Sequence, residues 1–233
     1  MTSIQSNLQA VRRRLAAAAA AAGRDPAGIV LLAVSKTWPA ASIREAVAAG
    51  QHAYGENYVQ EAVHKIAELQ DCALEWHFIG PLQSNKTRLA ALNFDWVHSV
   101  DRLRIAERLS EQRPGSRAPL NVCIQVNVSG EQSKSGVAPG EVAELAARVR
   151  ELPRLRLRGL MAIPEPSRDA SVLRARFAVL RAVRDELNAS GMGMDTLSMG
   201  MSDDLELAIA EGSTMIRVGS AIFGNRVRAG GAA

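Results

Sequence analysis

The sequence predicts an α/β protein whose single domain is a closed (β/α)8 TIM barrel. Three observations carry this expectation. Strand-like runs alternate strictly with helix-period segments, which calls for a parallel sheet. Eight such runs fit within 233 residues, a length at which barrels commonly form one domain. No Pro/Gly-rich linker divides the chain, and no G-x-G-x-x-G follows the first strand to favour the runner-up, an open Rossmann-like sheet.

Residues 1–24 contain an N-terminal helix, with Ile4, Leu8, Val11 and Leu15 on one face. Residues 29–35 form an apolar, β-rich run of the kind that becomes a strand buried on both faces. The helix-period segment 40–49 leads to a strand at 52–55, and segment 57–70 to a strand at 76–80. Segments 85–92, 102–112 and 140–152 precede strands at 96–100, 120–128 and 157–163. The long segment 170–189 leads to a strand at 196–199, and 203–211 to the last at 214–218. Only residues 220–233 follow it, so the eighth helix is expected to be missing and the N-terminal helix to cover part of the gap. The barrel domain is expected over residues 1–228, with 229–233 a frayed tail.

Composition narrows the function classes. Hydrophobic residues make up 47% of the chain, enough for a large core, and the net charge is only +4. Its arginines are scattered, and nine aromatics in all give little to stack on bases, so nucleic-acid binding is not expected. The alanine run 16–22 is too short and too weakly apolar to span a bilayer. Cys72 and Cys123 lack metal spacing and read as reduced core filler, which points to the cytoplasm.

Lys36 stands out against this background. The chain has 24 arginines and four lysines (Lys36, Lys65, Lys86 and Lys134), so arginine serves wherever a generic positive charge is needed. Arginine stays protonated and forms no imine with an aldehyde. Lys36 follows the first apolar run, where partial burial disfavours the ammonium and yields a usable nucleophile. The alternative is an ordinary strand-end lysine in solvent.

In a barrel the chemistry gathers at the C-terminal strand ends, and phosphate often sits between the loops after strands seven and eight. Those loops here carry Ser198, Met199 and Gly200, then Arg217, Gly219 and Ser220. Ser198 offers a hydroxyl, and Gly219 and Ser220 can present consecutive amides to an anion. Turn-making glycines with Ser202 or Asp203 as a helix cap would explain the same residues structurally. With an imine-capable lysine on strand one, the set describes a site for an aldehyde carrying a phosphate, pyridoxal 5′-phosphate.

The strings LLAVSKT, YGENYVQEAV, EWHFIGPLQSNK, LRGLMAIP, DTLSMGMSDDLELAI and STMIRVGSAIFG resemble the pyridoxal phosphate homeostasis protein family, related to the N-terminal barrel of alanine racemases. The resemblance runs from about Asn7 to Arg226. It implies Lys36 as the Schiff-base lysine, Ser198, Gly219 and Ser220 on the phosphate, and Met199 among the cofactor-binding residues. It also implies Arg217 against the pyridine nitrogen and Asn57 near the cofactor. Trp38 stands where relatives often carry a basic residue, and the tail lacks the lysines that end many members. A second cofactor site built on such lysines is therefore in doubt here.

Other candidates read as structural. His77 and His98 are expected to be held by a neighbouring carbonyl or carboxylate, and His52 and His64 to be surface or second-layer residues. No metal site is expected, and methionines 192, 194, 199 and 201 read as packing. Lys134, in a Gly/Ser-rich loop after strand five, is either a solvated lysine or an amine that helps a departing aldehyde transfer.

Two function classes compete. One is a carrier that holds pyridoxal phosphate without turnover, supports vitamin B6 and amino acid balance, and passes the cofactor to pyridoxal-phosphate-requiring apoenzymes. The other is a racemase-type enzyme, which needs a base on each face of the substrate carbon. Related racemases take a tyrosine from a separate β domain, and this chain's only tyrosines are Tyr54 and Tyr58. The carrier reading is favoured, with no catalytic residue and a monomeric state.

Overall fold

A computed structural model describes residues 3–130 and 135–224. Eight parallel strands close into a barrel in chain order. They are β1 (Val30–Val34), β2 (Ala53–Glu56), β3 (Glu75–Phe78), β4 (Trp96–Val100), β5 (Leu120–Gln125), β6 (Leu155–Met161), β7 (Thr196–Ser198) and β8 (Met215–Val218). The seam closes where Val30 to Ala33 of β1 run beside Met215 to Val218 of β8. Period-two alternation sorts the side chains. Leu32, Val34, Trp96, Cys123, Met161 and Met215 pack together inside the barrel, whereas Ala33, Leu160, Leu197, Ile216 and Val218 join the larger core beneath the helices.

The helices are α1 (Ile4–Ala21), α2 (Ala40–Ala48), α3 (Val59–Glu68), α4 (Thr87–Asn93), α5 (Leu103–Gln112), α6 (Val142–Arg150), α7 (Ala170–Ala189), α8 (Leu205–Ala210) and α9 (Ser220–Phe223). The Ser3 side chain caps α1 by accepting from the Ser6 amide, and Leu8, Val11, Leu15 and Ala19 form its buried face. That face covers the seam, against α2, α8 and α9. Asn7 Nδ2 donates to the Ile222 carbonyl at 2.9 Å, and Arg14 pairs with Glu206 on α8.

The expected gap after strand eight is filled by α9, a single turn that the short span after Val218 still accommodates. Helix α3 starts at Val59 rather than residue 57, because Tyr58 is extended (φ −120°, ψ 113°), and this leaves Asn57 at the strand end. Strand β6 begins two residues early, at Leu155, where Leu120 and Asn121 of β5 offer backbone partners to Leu155 and Arg156. No helix among the described residues is long and apolar enough to cross a membrane.

Candidate functional site

A cavity of about 500 Å³ opens at the C-terminal strand ends. Its wall brings together Lys36, Asn57, Arg217, Gly219 and Ser220 of the residues expected from the sequence. The same wall includes Trp38, Met201, Ser202 and Asp203.

Lys36 sits just past β1, on a turn whose next residue, Thr37, has φ +68°. A β-branched residue rarely adopts this left-handed conformation, which costs roughly 1–3 kcal/mol and persists only where surroundings impose it. The surroundings here are ionic. Lys65 Nζ donates to the Ser35 carbonyl (2.7 Å), Glu56 Oε1 (2.7 Å) and Glu61 Oε1 (2.6 Å). Glu61 Oε1 also accepts the Thr37 amide at 2.5 Å, and Ser35 Oγ donates to Glu56 Oε1 at 2.6 Å. Ser35, Glu56 and Lys65 are all buried. Burial pushes the Glu56 carboxyl up, and the Lys65 ammonium opposes that shift.

Asn57 is placed by a close backbone crossing. A Cβ at Gly80 would lie 2.3 Å from the Asn57 carbonyl oxygen, so only glycine lets the end of β3 approach so near. Asn57 Oδ1 is buried without a hydrogen-bond partner among the described residues, an acceptor at the wall of a cavity. Arg217 lies almost wholly inside the barrel; burial pushes its pKa down to about 10, with Asp204 opposing. It donates to Ser198 Oγ and to the Ala162 carbonyl, each at 2.8 Å.

Ser198 and Met199 do not reach this cavity. Both are fully buried; Ser198 Oγ bonds with Arg217 and His98, and Met199 packs in the outer core. The hydroxyl at the wall beside Ser220 is Ser202, with Ser220 Oγ donating to Ser202 Oγ at 3.2 Å. Ser198 belongs to β7 itself, so its side chain points into the barrel, whereas residue 202 is already in the loop. Gly200 makes the turn between them at φ +95°, where a Cβ would come within 2.5 Å of Ala208 Cβ. Trp38 stacks on Phe223 of α9, their ring centres 5.8 Å apart.

The histidines divide as expected in location, and His77 also has the expected carboxylate nearby, with Glu75 Oε1 3.0 Å from its Nε2. His52 and His64 are exposed. His77 and His98 are fully buried and bond to each other, Nδ1 to Nε2 at 2.9 Å, rather than to a backbone carbonyl. Burial lowers both pKa values, and Arg217 adds to the effect at His98. Bases with depressed folded-state pKa values add stability above their unfolded value near 6.5 and lose it as pH falls below. Urea unfolding between pH 7 and 5 should therefore show stability dropping, with His98 contributing a slope of up to about 1.4 kcal/mol per pH unit and His77 adding in the same direction. A flat profile would mean that they take up protons while folded.

Tyr54 is fully buried behind the sheet, its hydroxyl directed to the Gln51 and Ile43 carbonyls, and Tyr58 is exposed. Neither lines the cavity. Burial pushes the Cys123 thiol up to about 12, leaving it inert. No cluster of three or more metal-ligating side chains occurs among the described residues. Lys134 lies outside them.

The chain is similar to known proteins over nearly its whole length. The family model "Alanine racemase, N-terminal domain" matches residues 6–227. A pyridoxal phosphate homeostasis protein of Pseudomonas aeruginosa is 62% identical over 226 residues, covering 97% of each chain. One from Escherichia coli K12 is 57% identical over 232 residues, covering 97% of this chain and 98% of its own. PipY of Synechococcus elongatus, solved with PLP bound, superposes with a TM-score of 0.83 at 40% identity, over 95% of this chain and all of that one. With the closed barrel and the lysine and arginine converging on its mouth, these matches make the chain a member of the alanine racemase N-terminal domain family and, within it, of the pyridoxal phosphate homeostasis proteins.

Proposed function

We propose that this chain binds pyridoxal 5′-phosphate through Lys36 and carries it reversibly in vitamin B6 and amino acid balance, without turning over a substrate. The observation that carries the reading is a cavity in which one lysine, one buried arginine and a pair of serine hydroxyls converge. When bound, the cofactor supplies an aldehyde that an amine can take up and release, and a phosphate that anchors it.

The residues fit that group. Lys36 supplies the amine, on a turn fixed from behind by Lys65 and Glu61. Ser202, Gly219 and Ser220, from the loops after β7 and β8, suit the phosphate. Asn57 Oδ1 offers an acceptor. Arg217 offers N–H donors to the ring nitrogen and never accepts a proton from it. A permanent donor keeps that nitrogen unprotonated, which weakens the ring as an electron sink.

The absence of turnover is supported by the positions of Tyr54 and Tyr58, away from the cavity, because racemisation needs a second base opposite the lysine. Asp203 is the carboxylate on the wall. The free thiols of Cys72 and Cys123 suit a reducing cytoplasm, and we infer a monomer that delivers to apoenzymes requiring the cofactor. Holoprotein incubated with a panel of L- and D-amino acids should give neither product nor stereochemical inversion, while restoring activity to an added apoenzyme. Inversion of any substrate over many turnovers would establish the enzyme reading instead.

A further inference from the structure

Barrel interiors are usually filled by layers of branched aliphatic residues. This one contains a polar chain that crosses it from mouth to mouth. It starts at Glu75, the half-exposed first residue of β3, whose Oε1 lies 3.0 Å from His77 Nε2 in a close but poorly aligned contact. His77 Nδ1 meets His98 Nε2 at 2.9 Å, and His98 Nδ1 meets Ser198 Oγ at 2.9 Å. Ser198 Oγ meets the Arg217 guanidinium at 2.8 Å, and Arg217 lines the cavity.

The two ends fix the direction of every proton between them. Arginine only donates, and an ionised carboxylate only accepts. Arg217 therefore donates to Ser198 Oγ, and the single hydroxyl proton of Ser198 goes to His98 Nδ1. His98 then carries its proton on Nε2 and donates to His77 Nδ1, which leaves the His77 proton on Nε2, facing Glu75. The reverse order fails at both ends. It would leave the Ser198 hydroxyl proton without an acceptor among the described residues and set a lone pair of His77 against the Glu75 carboxylate.

We propose that Ser198, His98, His77 and Glu75 are positioning residues, a one-way hydrogen-bond chain that holds Arg217 as a donor aimed at the cavity and links its charge to a carboxylate at the opposite mouth. The chain assigns Ser198 to the arginine rather than to the phosphate. It also accounts for two histidines in a barrel core. Both stay neutral: burial disfavours their charge, Arg217 repels a proton on His98, and Glu75 and Asp95 favour one on His77 without overcoming burial. His77 is also stacked on Trp96 at 5.2 Å, which fixes its ring plane, and Arg158 lies over the same indole.

The test has two arms. The first needs no cofactor: 15N NMR of the histidine rings in the full-length protein should show His77 and His98 as neutral Nε2–H tautomers at pH 7. An Nδ1–H tautomer or a charged ring at His98 overturns the chain. The second arm rests on the pyridoxal phosphate reading, and a wild-type protein that took up no cofactor would fail that reading while leaving the first arm intact. Ser198→Ala should weaken pyridoxal phosphate about tenfold, the effect of losing one buried hydrogen bond to a charged group. Competition by inorganic phosphate should not change. Equal weakening of both would make Ser198 a phosphate ligand and overturn the assignment, and so would unchanged affinity for both. His98→Asn keeps a polar side chain at the same step; it should weaken the cofactor in the same selective way, and wild-type behaviour there also counts against the chain.

Discussion

The Lys36→Ala protein is expected to fold and to lose all covalently retained pyridoxal phosphate. Lys36 is partly exposed at the cavity wall, and replacing such a residue should change stability by less than about 1 kcal/mol. Borohydride treatment of loaded wild-type protein should fix the cofactor on the peptide containing Lys36, and the variant should yield none. Lys65 is a poor substitute, because its ammonium already donates to three oxygens in a buried setting. Recovery of the label on Lys65, Lys86 or Lys134 in the wild type would refute the assignment.

Lys65→Met should have the largest effect on stability. The Glu56 carboxylate beside it is fully buried, and the Lys65 side chain is only 8% exposed, so solvent cannot replace the lost partner. Breaking a buried pair by removing one member costs about 3–5 kcal/mol, because the remaining charge is left uncompensated. Chemical denaturation measures this directly, and a loss under about 1 kcal/mol would contradict it. Adding Glu56→Gln should recover part of the loss, since the stranded charge goes with it. Under conditions where the single variant is still folded, cofactor capture should also slow. The Ser35 carbonyl and Glu61 both lose the ammonium that fixes them, and the left-handed turn at Thr37 loses its constraint.

Much of the fold was legible because a closed parallel barrel imposes two strong periods on its sequence. The run before Lys36 shows one of them, and α7 matches its expected span at both ends. The cofactor site was partly legible. Lys36, Asn57, Arg217, Gly219 and Ser220 do share a wall, and the chemistry of lysine and arginine singles out two of them. Ser198 was read one step too deep, because its hydroxyl suggested an anion ligand while its position within β7 turns it towards the barrel axis. Ser202, which does line the cavity wall, lay in the same string, just past the strand's end.

The ionic cluster behind Lys36 was missed for a different reason. Lys65 stands between Ala62 and Leu69 on the core-facing side of α3, an odd place for a charge that helical spacing alone could have exposed. Its partners Ser35 and Glu56 come from other strand ends, and only the closed barrel brings them within reach. The same holds for the His77–His98–Ser198 chain, whose members come from three strands.

The seam between β1 and β8 has a consequence for how the protein is made. Lys36 is synthesised long before Arg217, yet the wall they share exists only once Val30 to Ala33 lie beside Met215 to Val218. A nascent chain thus has no finished pocket while the ribosome is still adding β8, and the helix that covers the seam waits for its partner α9 as well. The complete wall can therefore take up a cofactor only after β8 has been made and paired with β1. A chain still short of β8 offers Lys36 alone, without the arginine and the serine hydroxyls that share its wall in the closed barrel.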